Sequence, residues 1–464
     1  MSVRAPLGAT PESGAFELRA PALESVRTSS RARLGQAGLL LLVVTGLLVS
    51  LAAAETDSLL PESVRPIPRW LAGPFGSTGL GLGVWPLITV LSLMFACYAV
   101  VAATADRLSA RSVLMAIAAL NALILLAPPM LSTDMFSYQA YARIGATYGA
   151  NPYLQGPHAI ALDPVYPFIG AKWVTMPTAY GPIFTALSYL LAPLSIASSV
   201  VAYKGIAAVS SLALVGFIWN AARLRGLDPV RSAALVGLNP LIVVWGVGGG
   251  HNDLLMLAAL AGGIYLMLQR RPRAGGGSMM LALGIKLTAG LPLAFALAGS
   301  ESRRRGRERS DVVIGAFAAG ACLLALGFGL FGMGPLHMIA TVQKAQSEGD
   351  WHSIAGFIST RLSLGSVGRI TGYFLAAVFV VAFAWLLRRV WRGQLDWIDG
   401  AGWATAVLLV TASAMLPWYG AWLIPVAALA TDRRLWRTAI AMTGVVEAIQ
   451  MLGYIPHASS LLGF

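Results

Sequence analysis

Charge is what this chain most lacks. Only 11% of its 464 residues are Asp, Glu, Lys or Arg, while 57% are hydrophobic. Soluble domains carry roughly 25% charged residues, so a soluble fold is excluded. Cysteine is nearly absent as well. Cys97 and Cys322 both fall inside apolar runs, where they read as small core residues, so neither a disulfide framework nor redox chemistry is expected. No Gly-rich nucleotide loop occurs, nor a cytoplasmic catalytic domain that would use a nucleotide sugar. The internal repeats that mark many transporters are missing too.

Long apolar runs are abundant instead. Those near 34–54, 83–104, 112–131, 199–222, 311–333 and 437–455 each approach the length that crosses a bilayer core, about 20 helical residues. An all-α polytopic membrane protein is implied, in contact with a lipid bilayer. Residues 1–33, with three Glu and five Arg, read as a disordered cytoplasmic tail. The first run ends in Ala52, Ala53 and Ala54, as a signal-peptidase site does, but leader and run are both longer than a secretory signal needs. An uncleaved anchor is expected, followed by one membrane domain over 34–464.

The formal charge of +13 is carried mostly by Arg in short clusters between apolar runs, the pattern that orients membrane proteins. Nucleic acid is not an expected partner. With the N-terminus cytoplasmic, the clusters at Arg107 and Arg111, Arg223 to Arg231, Arg270 to Arg273, Arg303 to Arg309, Arg388 to Arg392 and Arg433 to Arg437 all fall inside. Residues 132–198 and 334–368 then lie outside. The alternation fails once. Residues 276–299 sit between two basic loops and must enter and leave on one side, which requires a re-entrant or tight helical hairpin with Lys286 near its tip. The four lysines, Lys172, Lys204, Lys286 and Lys344, all fall outside or within the membrane. A lysine in apolar sequence is costly there and marks function.

The outer segment 132–198 opens with Asp134 and holds seven of the thirteen tyrosines, including Tyr138 and Tyr180, interleaved with Arg143 and several prolines. An interfacial aromatic belt is one explanation. The polar groups and turns favour a rigid cleft for a hydroxylated ligand. Asp134 can be a catalytic base, a helix cap, or the ion-pair partner of Arg143. Gly248 to Asp253, Gly-Gly-Gly-His-Asn-Asp, lies where one span ends and the next begins, so Asn252 or Asp253 can cap a helix whose free N–H groups favour an anion. Taken separately, these residues also suit a capped turn with no ligand.

Together Ser132-Thr133-Asp134-Met135-Phe136-Ser137-Tyr138, Ala179-Tyr180-Gly181-Pro182, Gly248 to Asp253, the Lys286 hairpin and Pro417-Trp418-Tyr419 resemble the actinobacterial polyprenol-phosphate-mannose-dependent α-(1→6)-mannosyltransferases of the MptA/MptB type, in the GT-C superfamily. The resemblance covers residues 34 to 455. It implies a GT-C fold of about 11 to 13 transmembrane helices in the plasma membrane, with an active site on the extracytoplasmic side. It also implies a polyprenyl-phosphate mannose donor, a mannan or lipomannan-type glycolipid acceptor, and an inverting transfer with Asp134 as base. Lys286, His251, Lys204 and Asn252 are the candidates for the donor phosphate. Tyr138, Arg143, Tyr180, Asp253, His352, Trp418 and Tyr419 are those for other substrate contacts. Many GT-C enzymes carry two neighbouring acids where this chain has Asp134 followed by Met135 and Phe136, so neither a metal nor another cofactor is expected. The competing readings are a transferase of another lipid-linked sugar and a flippase for one.

Overall fold

The computed structural model describes residues 30–300, 305–348 and 352–455, and among them the only regular elements are helices. Most of the N-terminal tail, Trp351, and Arg303 and Arg304 of one basic cluster lie outside the described residues. Helix α1 (Ser30–Ala52) packs on α2 (Val84–Thr104) and α3 (Ala110–Leu126). α4 (Asp134–Ala146) and the short α5 (Pro182–Tyr189) organise the segment expected as an outer loop, with single 3-10 turns between them. Next come α6 (Ile196–Leu224), α7 (Pro229–Gly237), α8 (Asp253–Leu268), α9 (Pro272–Ile285), α10 (Gly290–Gly299) and α11 (Arg305–Phe331). The rest are α12 (His337–Glu348), the one-turn α13 (Ile354–Gly356), α14 (Gly365–Trp391), α15 (Trp397–Thr411), α16 (Leu423–Leu429) and α17 (Arg433–Leu452).

Helix starts obey local chemistry. Ser109, Ser195, Asp228, Asp396 and Asp432 each accept backbone N–H groups at the heads of α3, α6, α7, α15 and α17. Such caps satisfy donors that the first helical turn leaves free. Five helices are long and apolar enough to cross a membrane: 30–52, 84–107, 196–224, 308–331 and 365–391. Two expected runs fall short. The run at 112–131 stops at Leu126 because Pro128 and Pro129 come next, and α17 carries Arg433, Arg434, Arg437 and Glu447. A sixth span arises if α7 and the π-helical Leu241–Val247, which meet at a 42° bend, count as one.

The chain doubles back at Lys286. Lys286 is extended (φ −152°, ψ 131°) between α9 and the 3-10 turn that leads into α10. Both ends of this pair rest on the start of α11. Arg273 at the head of α9 donates to Asp311 at 2.8 Å, and Arg309 donates to the carbonyls of Leu297 and Ser300 at the foot of α10. A tight helical hairpin is therefore present where the charge pattern demanded one. It is backed by α8 on one side and α11 on the other, with Gly263 against Gly275 and Gly276 against Val312.

Candidate active site

The two acids at the centre of the site each open a helix. Asp134 is the first residue of α4 and Asp253 the first of α8, and both are buried. Asp134 Oδ2 accepts the Tyr138 hydroxyl at 3.3 Å, one turn along α4, and the Tyr180 hydroxyl at 3.2 Å from the loop before α5. Ser132 Oγ accepts the Asp134 backbone N–H at 3.1 Å. His251 Nδ1 stands 3.3 Å from the same carboxylate oxygen. Burial pushes the Asp134 carboxyl up, but His251, Lys286 and the Tyr180 hydroxyl outweigh it and hold the group below its usual range. The same burial, beside a carboxylate, raises Tyr138 and Tyr180 well above the ordinary phenol value and keeps both as donors.

His251 is held flat. Its ring stacks on Trp418, with centroids 3.9 Å apart and planes at 22°. The turn that delivers it depends on glycine. Gly250 has φ +61°, a region that side chains disfavour, and a Cβ on Gly249 would meet the His251 ring at 2.6 Å. Upstream, Leu241–Val247 is wound with i→i+5 hydrogen bonds, and the His251 N–H closes one of them on the Gly246 carbonyl at 2.9 Å.

A second cluster surrounds Asp253. Lys286 Nζ donates to both of its oxygens at 2.9 Å, and Trp422 Nε1 donates to Oδ1 at 2.6 Å. The ammonium also lies over the rings of Tyr419 (4.7 Å) and Trp422 (5.4 Å), which stack on each other at 4.2 Å. Asn252 joins the two clusters, since the Tyr138 hydroxyl lies 3.5 Å from both its Oδ1 and its backbone N.

The structure therefore brings together Asp134, Tyr138, Tyr180, His251, Asn252, Asp253, Lys286, Trp418 and Tyr419. Three candidates lie elsewhere. Arg143 does not pair with Asp134; its guanidinium is taken by Asp163 at 3.0 Å and by the Leu194 carbonyl. Lys204 is fully buried and its ammonium is spent on the carbonyls of Ala127 and Pro128, at the proline break after α3, so it is not presented to a phosphate. His352 faces Gln450 of α17 at 3.3 Å. Trp422 was missed from the sequence. It lies three residues beyond Tyr419, the spacing that superimposes side chains on a 3-10 turn, and Pro417–Trp422 is such a turn.

Three buried nitrogen-bearing groups in this cluster have atoms without a partner: the His251 ring at both nitrogens, Asn252 at Nδ2 and Trp418 at Nε1. Buried polar groups are rarely left so, and several in one place mark a ligand site. Among the described residues no three His, Cys, Asp or Glu side chains gather in a metal-binding group.

These features define a helical membrane protein with a polar, aromatic-walled site at one end of its bundle. A family model described as alpha-(1->6)-mannopyranosyltransferase, N-terminal domain, matches residues 32–299, and one described as MptB C-terminal domain matches 351–462. The chain belongs to this mannopyranosyltransferase family. Alpha-(1->6)-mannopyranosyltransferase A of Mycobacterium tuberculosis is 28% identical over 92% of this chain and 85% of its own length. A probable alpha-(1->6)-mannopyranosyltransferase of Mycolicibacterium smegmatis is 29% identical over 70% of this chain and 66% of its own. For alpha-(1->6)-mannopyranosyltransferase B of Corynebacterium glutamicum the figures are 28%, 66% and 57%. No solved structure matches the chain.

Proposed function

We propose that this chain transfers mannose from a polyprenyl-phosphate donor to a mannan or lipomannan-type glycolipid acceptor, forming an α-(1→6) bond with inversion on the extracytoplasmic face of the plasma membrane. Three buried groups with unpartnered nitrogens, His251, Asn252 and Trp418, beside the Asp134 carboxylate carry this reading. A polyprenyl-phosphate sugar already has a good leaving group, so catalysis needs a base for the acceptor hydroxyl and cations or donors for the departing phosphate. Asp134 takes the proton of the acceptor hydroxyl as its oxygen bonds to the anomeric carbon. The sugar–phosphate bond breaks on the opposite side and its electron pair leaves with the phosphate. His251 Nε2, Asn252 Nδ2 and the ammonium of Lys286 receive that charge, with Asp253 and the Tyr419 and Trp422 rings positioning the ammonium. A β-linked donor then gives an α-mannoside. The family relationship supports mannosyl transfer in particular, because the relatives carry that activity in their names.

The GT-C architecture belongs to the same proposal. The five long helices, the bent pair and the four shorter apolar helices support it. The basic clusters support a cytoplasmic N-terminus and α8–α9 turn, with the Asp134 end outside.

Membranes containing the wild type or Asp134→Asn, given radiolabelled polyprenyl-phosphate mannose and a short α-mannoside, test the mechanism. An α-linked product is expected from the wild type, and a loss of roughly 10²- to 10⁴-fold from the variant, the usual worth of a positioned base. Normal turnover by Asp134→Asn removes the mechanism. Activity only with another carrier-linked sugar removes the mannose assignment.

A further inference from the structure

A groove of about 380 Å³ lies apart from the Asp134 site, between α12, the α13 turn and α14. It falls within the volume range of small-molecule sites, roughly 300–1,000 Å³. Its floor is made by small residues on α14. A Cβ on Gly368 would strike Ser359 at 2.4 Å, and one on Gly372 would meet the Ser413 hydroxyl at 3.3 Å. The walls are mostly apolar, with Val342, Ala355 and Ala376, and among these stand the amides of Gln343 and Gln346, the hydroxyls of Ser359 and Ser413, the guanidinium of Arg369 and the phenol of Tyr373, which is 78% exposed. None of the described residues that line it carries a carboxylate.

Two connections join this groove to the catalytic end of the molecule. Phe331, at the end of α11 and just ahead of α12, accepts a 2.7 Å hydrogen bond from Asn151 in the segment that also supplies Tyr180. More directly, the groove wall at Ser413 is four residues from Pro417, and Gln346 Oε1 accepts the Ala414 N–H at 3.2 Å, fixing the strip that leads to Trp418 and His251.

From this continuity and this lining we infer that the groove binds the distal part of the acceptor: a neutral oligosaccharide whose terminal hydroxyl reaches Asp134 while earlier sugars lie along α14. The inference rests on the proposed mannosyl transfer. Amides, hydroxyls and a guanidinium match the alternating donors and acceptors of a sugar chain, and an exposed phenol offers a face for a pyranose ring. No ordinary catalytic demand explains such a lining away from the reacting atoms.

The test compares a short and a long mannoside acceptor with full-length enzyme. Gln343→Ala, Tyr373→Ala and the groove-filling Gly372→Leu are expected to raise KM for the long acceptor about tenfold each, the worth of one or two hydrogen bonds, with kcat and the short-acceptor KM unchanged. Unchanged short-acceptor turnover also reports that each variant is folded. Calorimetric titration of the purified wild type and Gly372→Leu with the long mannoside separates the two claims. Binding that Gly372→Leu abolishes upholds the groove even if the wild type transfers no mannose, an outcome that would remove the proposed function alone. Transfer by the wild type with long-acceptor KM and binding untouched by all three variants overturns the groove.

Discussion

Asp253 and Lys286 hold opposite charges out of water, with side chains only 3% and 12% exposed, so each depends on the other. Lys286→Met leaves a buried carboxylate without its counter-ion and is expected to destabilise the protein by about 3–5 kcal/mol; the double variant with Asp253→Asn should recover most of that loss. Thermal unfolding in detergent checks both, and activity that stays lost in the recovered double variant assigns the ammonium to chemistry as well as to folding. Asp134 makes a different prediction. Because its partners hold its carboxyl below the usual range, transfer should persist as pH falls and fail only below the ordinary carboxylate value of about 4. His251→Gln removes a group that favours the ionised form, so the acid limb of its pH–rate profile should lie at higher pH than that of the wild type. The sequence identified both acids because each interrupts an apolar pattern at a helix head. It did not reveal the partners of Arg143, Lys204 and His352, since Asp163, the Ala127 and Pro128 carbonyls and Gln450 are brought to them only by folding.

The Lys286 hairpin was legible as an element because two basic loops flank a run that has to return to its own side. Its packing was not. α9 lies against α11 with backbone close to backbone, and a Cβ on Gly315 would come 1.8 Å from the Arg273 carbonyl. A carbonyl in a helix cannot step aside as a side chain can, so Gly315→Ala is expected to cost about 1–3 kcal/mol and to lower transfer by displacing the tip that carries Lys286. Gly216→Ala in α6, where nothing lies within 4 Å, is the control and should be neutral or slightly stabilising in the same melting assay. The span count was less readable. The prolines after α3 and the π-helical bend shorten segments whose composition alone suggests full crossings.

Across the whole molecule several of the clustered arginines have partners of their own. Arg225 pairs with Asp396 at 3.0 Å, Arg273 with Asp311 at 2.8 Å, and Arg231, Arg309 and Arg389 lie over Trp436, Trp391 and Trp385. These contacts hold the side chains locally, and the proposed orientation rests on where the basic clusters fall along the sequence. Single cysteines at Arg271 and Ser300, in a Cys97→Ala/Cys322→Ala background, should therefore react with an impermeant maleimide from one face of sealed vesicles, and a cysteine at Lys172 from the other. Labelling of positions 271 and 300 from opposite faces would contradict the hairpin's placement in the membrane.

The i→i+5 winding of Leu241–Val247 makes the site sensitive to the reading of a single codon. A π turn is an α-helix carrying one extra residue, so removing one residue there restores ordinary winding and takes away the bond that the His251 N–H closes on the Gly246 carbonyl. Composition, hydropathy and charge would hardly change, and the bundle would keep its helices. The turn that carries His251 would nonetheless lose the backbone bond that anchors it, so a single deletion would loosen the hold on the ring beside Asp134.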